Sequence, residues 1–224
     1  MKIVLEGTSS SGKSSIMNKF PKKYKKVSID DPGLITRDFW KDVKNKYYTK
    51  KEKDEIYYVH MEKKMANQVK NQDNYIIDTI NFRGGKPMIN KYLSKDIINI
   101  LLYTNLTDLV HNVNKRNKSD PRGKFVFKQF AKYFMVTNNI DESIDTINLK
   151  SFIKNLKKIK YEFESERELK NFAKDIFKSL GISKISVSKD YHIKSRYSKF
   201  DMILPTKNKS PTQLKNIIIN FKCD

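Results

Sequence analysis

Three short stretches of the chain, residues 2–6, 75–79 and 98–103, carry apolar side chains almost without interruption. Continuous runs of this length suit strands of a parallel sheet covered on both faces. A fourth stretch, residues 26–30 (Lys-Val-Ser-Ile-Asp), alternates instead and predicts a further strand. Between the strands the period lengthens. Residues 51–72 place Tyr58, Met61, Met65 and Val69 at helical spacing among lysines and glutamates, a stripe that reads as core. Helices are also predicted over 14–20, 33–43, 106–117, 125–135, 149–159 and 165–180, the last ended by Gly181. Pro87 follows a Gly84-Gly85 turn and opens a shorter helix, and residues 143–147 form a candidate fifth strand. Strands alternating with helices at these lengths predict an α/β fold with right-handed crossovers. Past about residue 160 the pattern changes: 182–204 alternates like a hairpin and 205–211 is a polar break. The expected organisation is an α/β domain over 1–160 and a small α+β appendage over 161–224.

Composition narrows the setting. One cysteine, Cys223, excludes a disulfide framework or a cysteine metal cluster, and the three histidines are far apart. No apolar run approaches the ~20 residues of a membrane helix. The first apolar stretch ends after four residues, at Glu6, which is not a leader pattern. The expectation is a cytoplasmic protein with no membrane partner. No feature of the sequence specifies an oligomeric state. The formal net charge is +21, and six of the 46 basic residues are arginine. The lysine bias, with abundant Asn and Ile, suggests an AT-rich genome such as that of a parasite or large DNA virus, with host cytoplasm or virion as the setting. Codon bias does not explain the excess over acids, so the field is either a solvated lysine surface or a track for polyanions.

The specific chemistry begins at residue 7. Gly7-Thr8-Ser9-Ser10-Ser11-Gly12-Lys13-Ser14 matches G-x-x-x-x-G-K-[ST] in full, between a predicted strand and a predicted helix. The two glycines let the backbone curl so that successive N–H groups meet phosphate oxygens at a helix N-terminus. Lys13 is expected to reach the β and γ phosphates and Ser14 to coordinate Mg²⁺, with Ser15 completing the nucleotide-binding set. The implied cofactors are ATP and Mg²⁺, and the fold class becomes a P-loop NTPase-type parallel sheet with helices on both faces.

Three further constellations bear on phosphoryl transfer. Asp30-Asp31 lies just past the second strand, at the edge where a parallel sheet presents ligands. A carboxylate of this pair either takes the proton of an acceptor hydroxyl or orients it for attack, or the pair is an acidic cap before Pro32-Gly33. Asp78 ends the third strand, where it can hold Mg²⁺, with Arg83 near an acceptor phosphate; a turn role explains both equally. Arg116 and Arg122 flank a charged loop, as a lid over the γ-phosphate or as surface arginines. Trp40 and Tyr47-Tyr48 could stack a flat acceptor or pack in the core.

Together these residues resemble the kinase domain of phage-type polynucleotide 5′-kinases over roughly residues 1–160. The quoted pieces are the phosphate loop, Asp30-Asp31, Asp78-Thr79-Ile80-Asn81, and Lys115-Arg116-Asn117 with Arg122-Gly123. The serine-rich loop and the aspartate after the second strand are also similar to chloramphenicol phosphotransferase-like kinases. The first resemblance implies Asp30 as catalytic base, Arg116 or Arg122 as the lid arginine and Arg37 on the acceptor phosphate; Asp31 and Arg83, read from their own positions, are also expected on the acceptor side. The family's acceptor arginine follows its aspartate pair more closely than Arg37 follows Asp30, and the lid here is longer. No Asp-x-Asp motif occurs, so a 3′-phosphatase activity is not expected.

The expected function is transfer of the ATP γ-phosphate to a hydroxyl, a polynucleotide 5′-OH first. The alternatives are a small-molecule or nucleoside kinase, and a nucleic-acid-binding NTP-binding protein without turnover. Residues 184–222 carry nine Lys/Arg against two acids with Tyr191, Tyr197 and Phe200 interleaved. That pattern fits single-stranded nucleic acid or a half-buried hairpin.

Overall fold

The computed structural model describes residues 1–34, 48–80, 82–83, 86–104, 106–116, 147–158, 165–179, 184–186, 190–191 and 200–221, with Phe39, Lys41 and Val43. The strands expected at 2–6, 26–30, 75–79 and 98–103 appear as β1 (Lys2–Gly7), β2 (Lys25–Ser28), β3 (Tyr75–Thr79) and β6 (Ile98–Tyr103). Between β3 and β6 lie two short antiparallel strands, β4 (Phe82–Arg83) and β5 (Lys86–Pro87), and a 3-10 helix over Met88–Tyr92. The short helix expected to open at Pro87 therefore starts one residue later.

β1, β2, β3 and β6 join one sheet in the order β2-β3-β1-β6, every pairing parallel. A fifth strand, β9 (Met202–Pro205), extends the sheet beside β6, also in parallel. The fold is thus α/β with a parallel sheet. The expected fifth strand at 143–147 differs: Ile147–Asn148 forms β7, which pairs with β8 (Asp190–Tyr191) outside the main sheet. Among the described residues, then, 182–204 does not pair with itself. Its two strands pair with different partners. Physically, β9 is stapled at its start by a reciprocal contact with β6. The Asp201 N–H donates to the Asn99 carbonyl (2.9 Å), and the Asp201 carboxylate accepts from the Asn99 N–H (2.6 Å). At its end the Thr206 N–H donates to the Tyr103 carbonyl (2.8 Å).

Helices cover both faces. Odd positions of β1, Ile3 and Leu5, pack with Ile16, Met17 and Phe20 around α1 (Lys13–Asn18) and with Leu214 and Ile218. The last two belong to α6 (Pro211–Asn220), which begins in a Ser210/Gln213 capping box with Pro211 inside the first turn. Burying each of these two side chains contributes about 1.5–3 kcal/mol. The even position Val4 faces the other side, with Met61, Met65 and Val69 of α2 (Lys50–Val69) and Ile77 of β3. Tyr58, expected in the same stripe, lies half-buried at its edge. α2 starts on Thr49, which caps the helix reciprocally with Glu52.

A third group of helices, α3 (Leu106–Arg116), α4 (Leu149–Leu156) and α5 (Glu166–Ser179), is held by apolar contacts such as Phe152 against Phe177, centroids 5.5 Å apart. The Asn114 amide adds a bond to the Lys158 carbonyl (2.7 Å). The expected loop at 118–124, the helix at 125–135, the Gly84-Gly85 turn, Trp40, Tyr47 and most of the helix at 33–43 fall outside the described residues. No helix among the described residues is long and apolar enough to cross a membrane.

Candidate functional site

β1 delivers the chain to Gly7 at the carboxyl edge of the sheet, where the backbone turns close against β6. A Cβ on Gly7 would fall 2.7 Å from Ser11 Oγ and 3.1 Å from the Leu102 carbonyl oxygen, so the approach requires glycine. Ser10 then adopts φ 67° and Gly12 φ 90°. The left-handed Ser10 costs roughly 1–2 kcal/mol, while glycine holds such a conformation without steric penalty. These turns build a concave run of main-chain amides. The first intrahelical bond of α1 runs from the Ile16 N–H to the Gly12 carbonyl (3.0 Å). The N–H groups of Lys13, Ser14 and Ser15 precede it and are left to a ligand, as at every helix start.

Lys13 is buried at 6% exposure, its Nζ donating to the carbonyls of Gly7 and Thr8, both at 2.8 Å. Its Nζ also stands 3.7 Å from Asp78 Oδ1. Asp78, itself 2% exposed, accepts from Ser14 Oγ (3.1 Å) and Ser28 Oγ (3.5 Å) on its other oxygen. Burial pushes the Asp78 carboxyl above the usual carboxylate range, against the pull of Lys13 and of the Ser14 bond; the charge of Asp30 pushes it further up. Asp78 Oδ1 accepts no hydrogen bond from the described residues. A hydroxyl and a buried carboxylate on one edge of a phosphate loop are the oxygen donors a hard divalent cation takes. Among the described residues no cluster of three or more His, Cys, Asp or Glu side chains is present, so Mg²⁺ here would draw its remaining ligands from phosphate and water.

Ser9, Ser10, Gly12, Lys13, Ser14 and Ser15 line a cavity of about 380 Å³ together with Asp30 and Asp78. Thr8 and Ser11, the other residues of the loop's middle, are buried and do not line the cavity. The Asp30 N–H donates to Ser28 Oγ (3.2 Å), which fixes the backbone and leaves the carboxylate exposed on the cavity wall. The cap before the Pro32–Leu34 turn is made by Asp31 instead, whose Oδ1 accepts from the Gly33 N–H (2.9 Å). Asp31 is therefore engaged in the turn and does not line the cavity.

Of the arginines, Arg83 sits in β4 opposite Lys86 and Arg116 ends α3, while Arg37 and Arg122 lie outside the described residues. The structure adds Ser28 and Asn112, which the sequence did not single out. Ser28 bridges the two aspartates. Asn112 and Lys115, three residues apart on α3, both line the cavity, and Asn112 Nδ2 donates to the Ser10 carbonyl (3.0 Å). Ile29 and Ile80 form the apolar part of the wall.

No protein-family model matches the chain, and no curated protein matches it in sequence. Solved structures similar to it include a shikimate kinase from Bacteroides thetaiotaomicron, 14% identical, covering 98% of this chain and 94% of that one with a TM-score of 0.44. A gluconokinase from Sinorhizobium meliloti 1021 is 11% identical and covers 79% of this chain and 95% of that one, with a TM-score of 0.39. Likeness at these levels transfers no activity.

Proposed function

We propose that the chain is an ATP-dependent phosphotransferase that moves the γ-phosphate onto a hydroxyl group. The observation that carries this reading is the pairing of a phosphate-binding loop with an exposed carboxylate, Asp30, on the wall of the same cavity. The amides of residues 12–15 bind the phosphate tail, and Lys13 leaves the carbonyls of Gly7 and Thr8 for the β and γ oxygens. Ser14 and Asp78 hold Mg²⁺, which neutralises charge between the phosphates when bound. Asp30 accepts the proton of the acceptor hydroxyl as its oxygen bonds to the γ-phosphorus and the bond to the ADP oxygen breaks. Arg116 and Arg122 are the candidates for countering charge on the transferring group, and Arg37 and Arg83 for holding the acceptor.

The acceptor favoured is a polynucleotide 5′-OH, supported by the net charge of +21 and its attraction for polyanions. The small cavity, about 380 Å³ with Ile29 and Ile80 in its wall, supports a small-molecule or nucleoside acceptor as the second reading. Labelled ATP incubated with 5′-hydroxyl DNA and RNA, beside a panel of nucleosides and small alcohols, separates them by which product carries the label. Absence of transfer to every acceptor, with salt-sensitive nucleic-acid binding that ignores Lys13→Ala, would overturn the kinase reading in favour of a binding protein.

A further inference from the structure

Within the phosphate loop, Ser10 is the residue that holds a left-handed backbone in spite of its Cβ. The peptide plane that follows it is gripped at both ends. Its carbonyl accepts from Asn112 Nδ2 of α3 at 3.0 Å, and its N–H, that of Ser11, donates to the Thr8 carbonyl at 3.2 Å. The first grip comes from a residue 102 positions away, on a helix that also walls the cavity. The orientation of this plane matters to an anion. Rotated about its flanking bonds, it would swing a carbonyl dipole, negative end first, towards the amides that meet phosphate.

We propose that Asn112 is a positioning residue: its amide holds the Ser10–Ser11 peptide with the carbonyl turned to α3, so that the loop is shaped for phosphate before the ligand arrives. This rests on the reading of the cavity as a triphosphate site. It makes the loop's affinity depend on α3 through the shape of the loop. It also accounts for a serine at a position where glycine would be free of strain, since the bond from α3 offsets the conformational cost.

The test uses the full chain and two probes, Mg·ADP and inorganic tripolyphosphate, titrated by calorimetry against wild type, Asn112→Ala, Asn112→Leu and Asn112→Gln. Amide exchange across residues 8–12 is followed in the unliganded proteins. Asn112→Ala and Asn112→Leu are expected to bind both probes roughly tenfold more weakly, about 1.4 kcal/mol, with faster exchange in the loop. Asn112→Gln, which keeps a donor, is expected to recover part of both. Unchanged exchange in the Ala and Leu variants overturns the proposal whatever the affinities do, and so does wild-type affinity for both probes. If a variant fails to melt cooperatively, the Gln variant's exchange and affinity decide alone. A wild-type protein that binds neither probe sinks the triphosphate reading, and the loop's exchange in the unliganded variants then decides the role of Asn112.

Discussion

Asp78 and Asp30 stand at the ends of neighbouring strands and share one contact, Ser28, yet their surroundings are opposite. Asp78 is the fourth residue of β3, still inside the sheet, with its carboxylate desolvated and met by Ser14, Ser28 and Lys13. Asp30 lies two residues beyond β2, exposed, with only its backbone N–H tied to Ser28. A carboxylate within a strand inherits the rigidity of the sheet and loses its water. It is suited to hold fixed charges. One just past a strand keeps its solvent and can meet a group that arrives and departs. Position relative to the strand end, a matter of two or three residues, gives residues of the same type opposite surroundings, and the proposed roles of Asp78 and Asp30 follow from that difference.

That division predicts separable defects. Asp30→Asn is expected to lower turnover by about 10²–10⁴-fold, the range for loss of a general base, with the Kd of Mg·ADP essentially unchanged. Steady-state kinetics beside calorimetry reads both. A variant that loses nucleotide affinity together with turnover would place Asp30 with the nucleotide instead. Lys13→Ala is expected to cost roughly 10²–10³-fold in turnover, as for removal of one donor to developing charge, with a folded protein by circular dichroism. Asp78→Asn comes next: Mg²⁺-dependent nucleotide affinity should fall on the order of 10–100-fold, while affinity measured without Mg²⁺ changes little. Equal losses with and without the cation would show that Asp78 acts through Lys13 rather than through the metal.

The same contrast explains what could be read in advance. The phosphate loop was legible because its chemistry is contiguous: eight consecutive residues carry both the curl and the charge. Asp78 was legible because a strand of five apolar and polar positions ends beside it. Asn112 was not, since nothing near residue 112 announces a bond to a carbonyl 102 residues earlier. β9 was missed for a related reason. Met202–Pro205 is four residues long and ends in proline, so its pairing with β6 is decided by a distant neighbour rather than by its own pattern. α6 did carry a local signal, the Ser210-Pro211-Thr212-Gln213 capping box, which the polar break before it obscured. Of the two arginines expected to close over the phosphates, Arg116 is placed at the end of α3 and Arg122 lies outside the described residues, as does Arg37 on the expected acceptor side.

A subtler consequence concerns pH. Burial raises the Asp78 carboxyl in the folded, unliganded protein, so the native state holds that proton more tightly than the unfolded chain. The stability this contributes is complete below the ordinary carboxylate pKa and is lost as pH rises through the folded value. As pH rises above about 4, the urea midpoint of wild type should therefore decline relative to that of Asp78→Asn. Parallel pH profiles for the two proteins would mean that Lys13 and the Ser14 bond fully compensate for burial.

The smallest effect is expected on the Asp30 side, with the opposite sign. His60 of α2 lies under the turn that follows Asp31, its ring stacked on Phe39 with centroids 4.3 Å apart. Burial holds its pKa below the usual histidine value, helped by the charges of Lys64 and Lys63 and opposed by a backbone hydrogen bond with Leu34. The unfolded chain thus takes up a proton more readily than the folded one. The stability His60 contributes is present above its ordinary pKa, about 6.5, and is lost as pH falls through the folded value. His60→Gln should flatten that acid limb while leaving the Asp78-dependent decline in place. If acidification were to loosen the β3 side instead, with His60→Gln behaving as wild type, the two strand ends would not be separate electrostatic units.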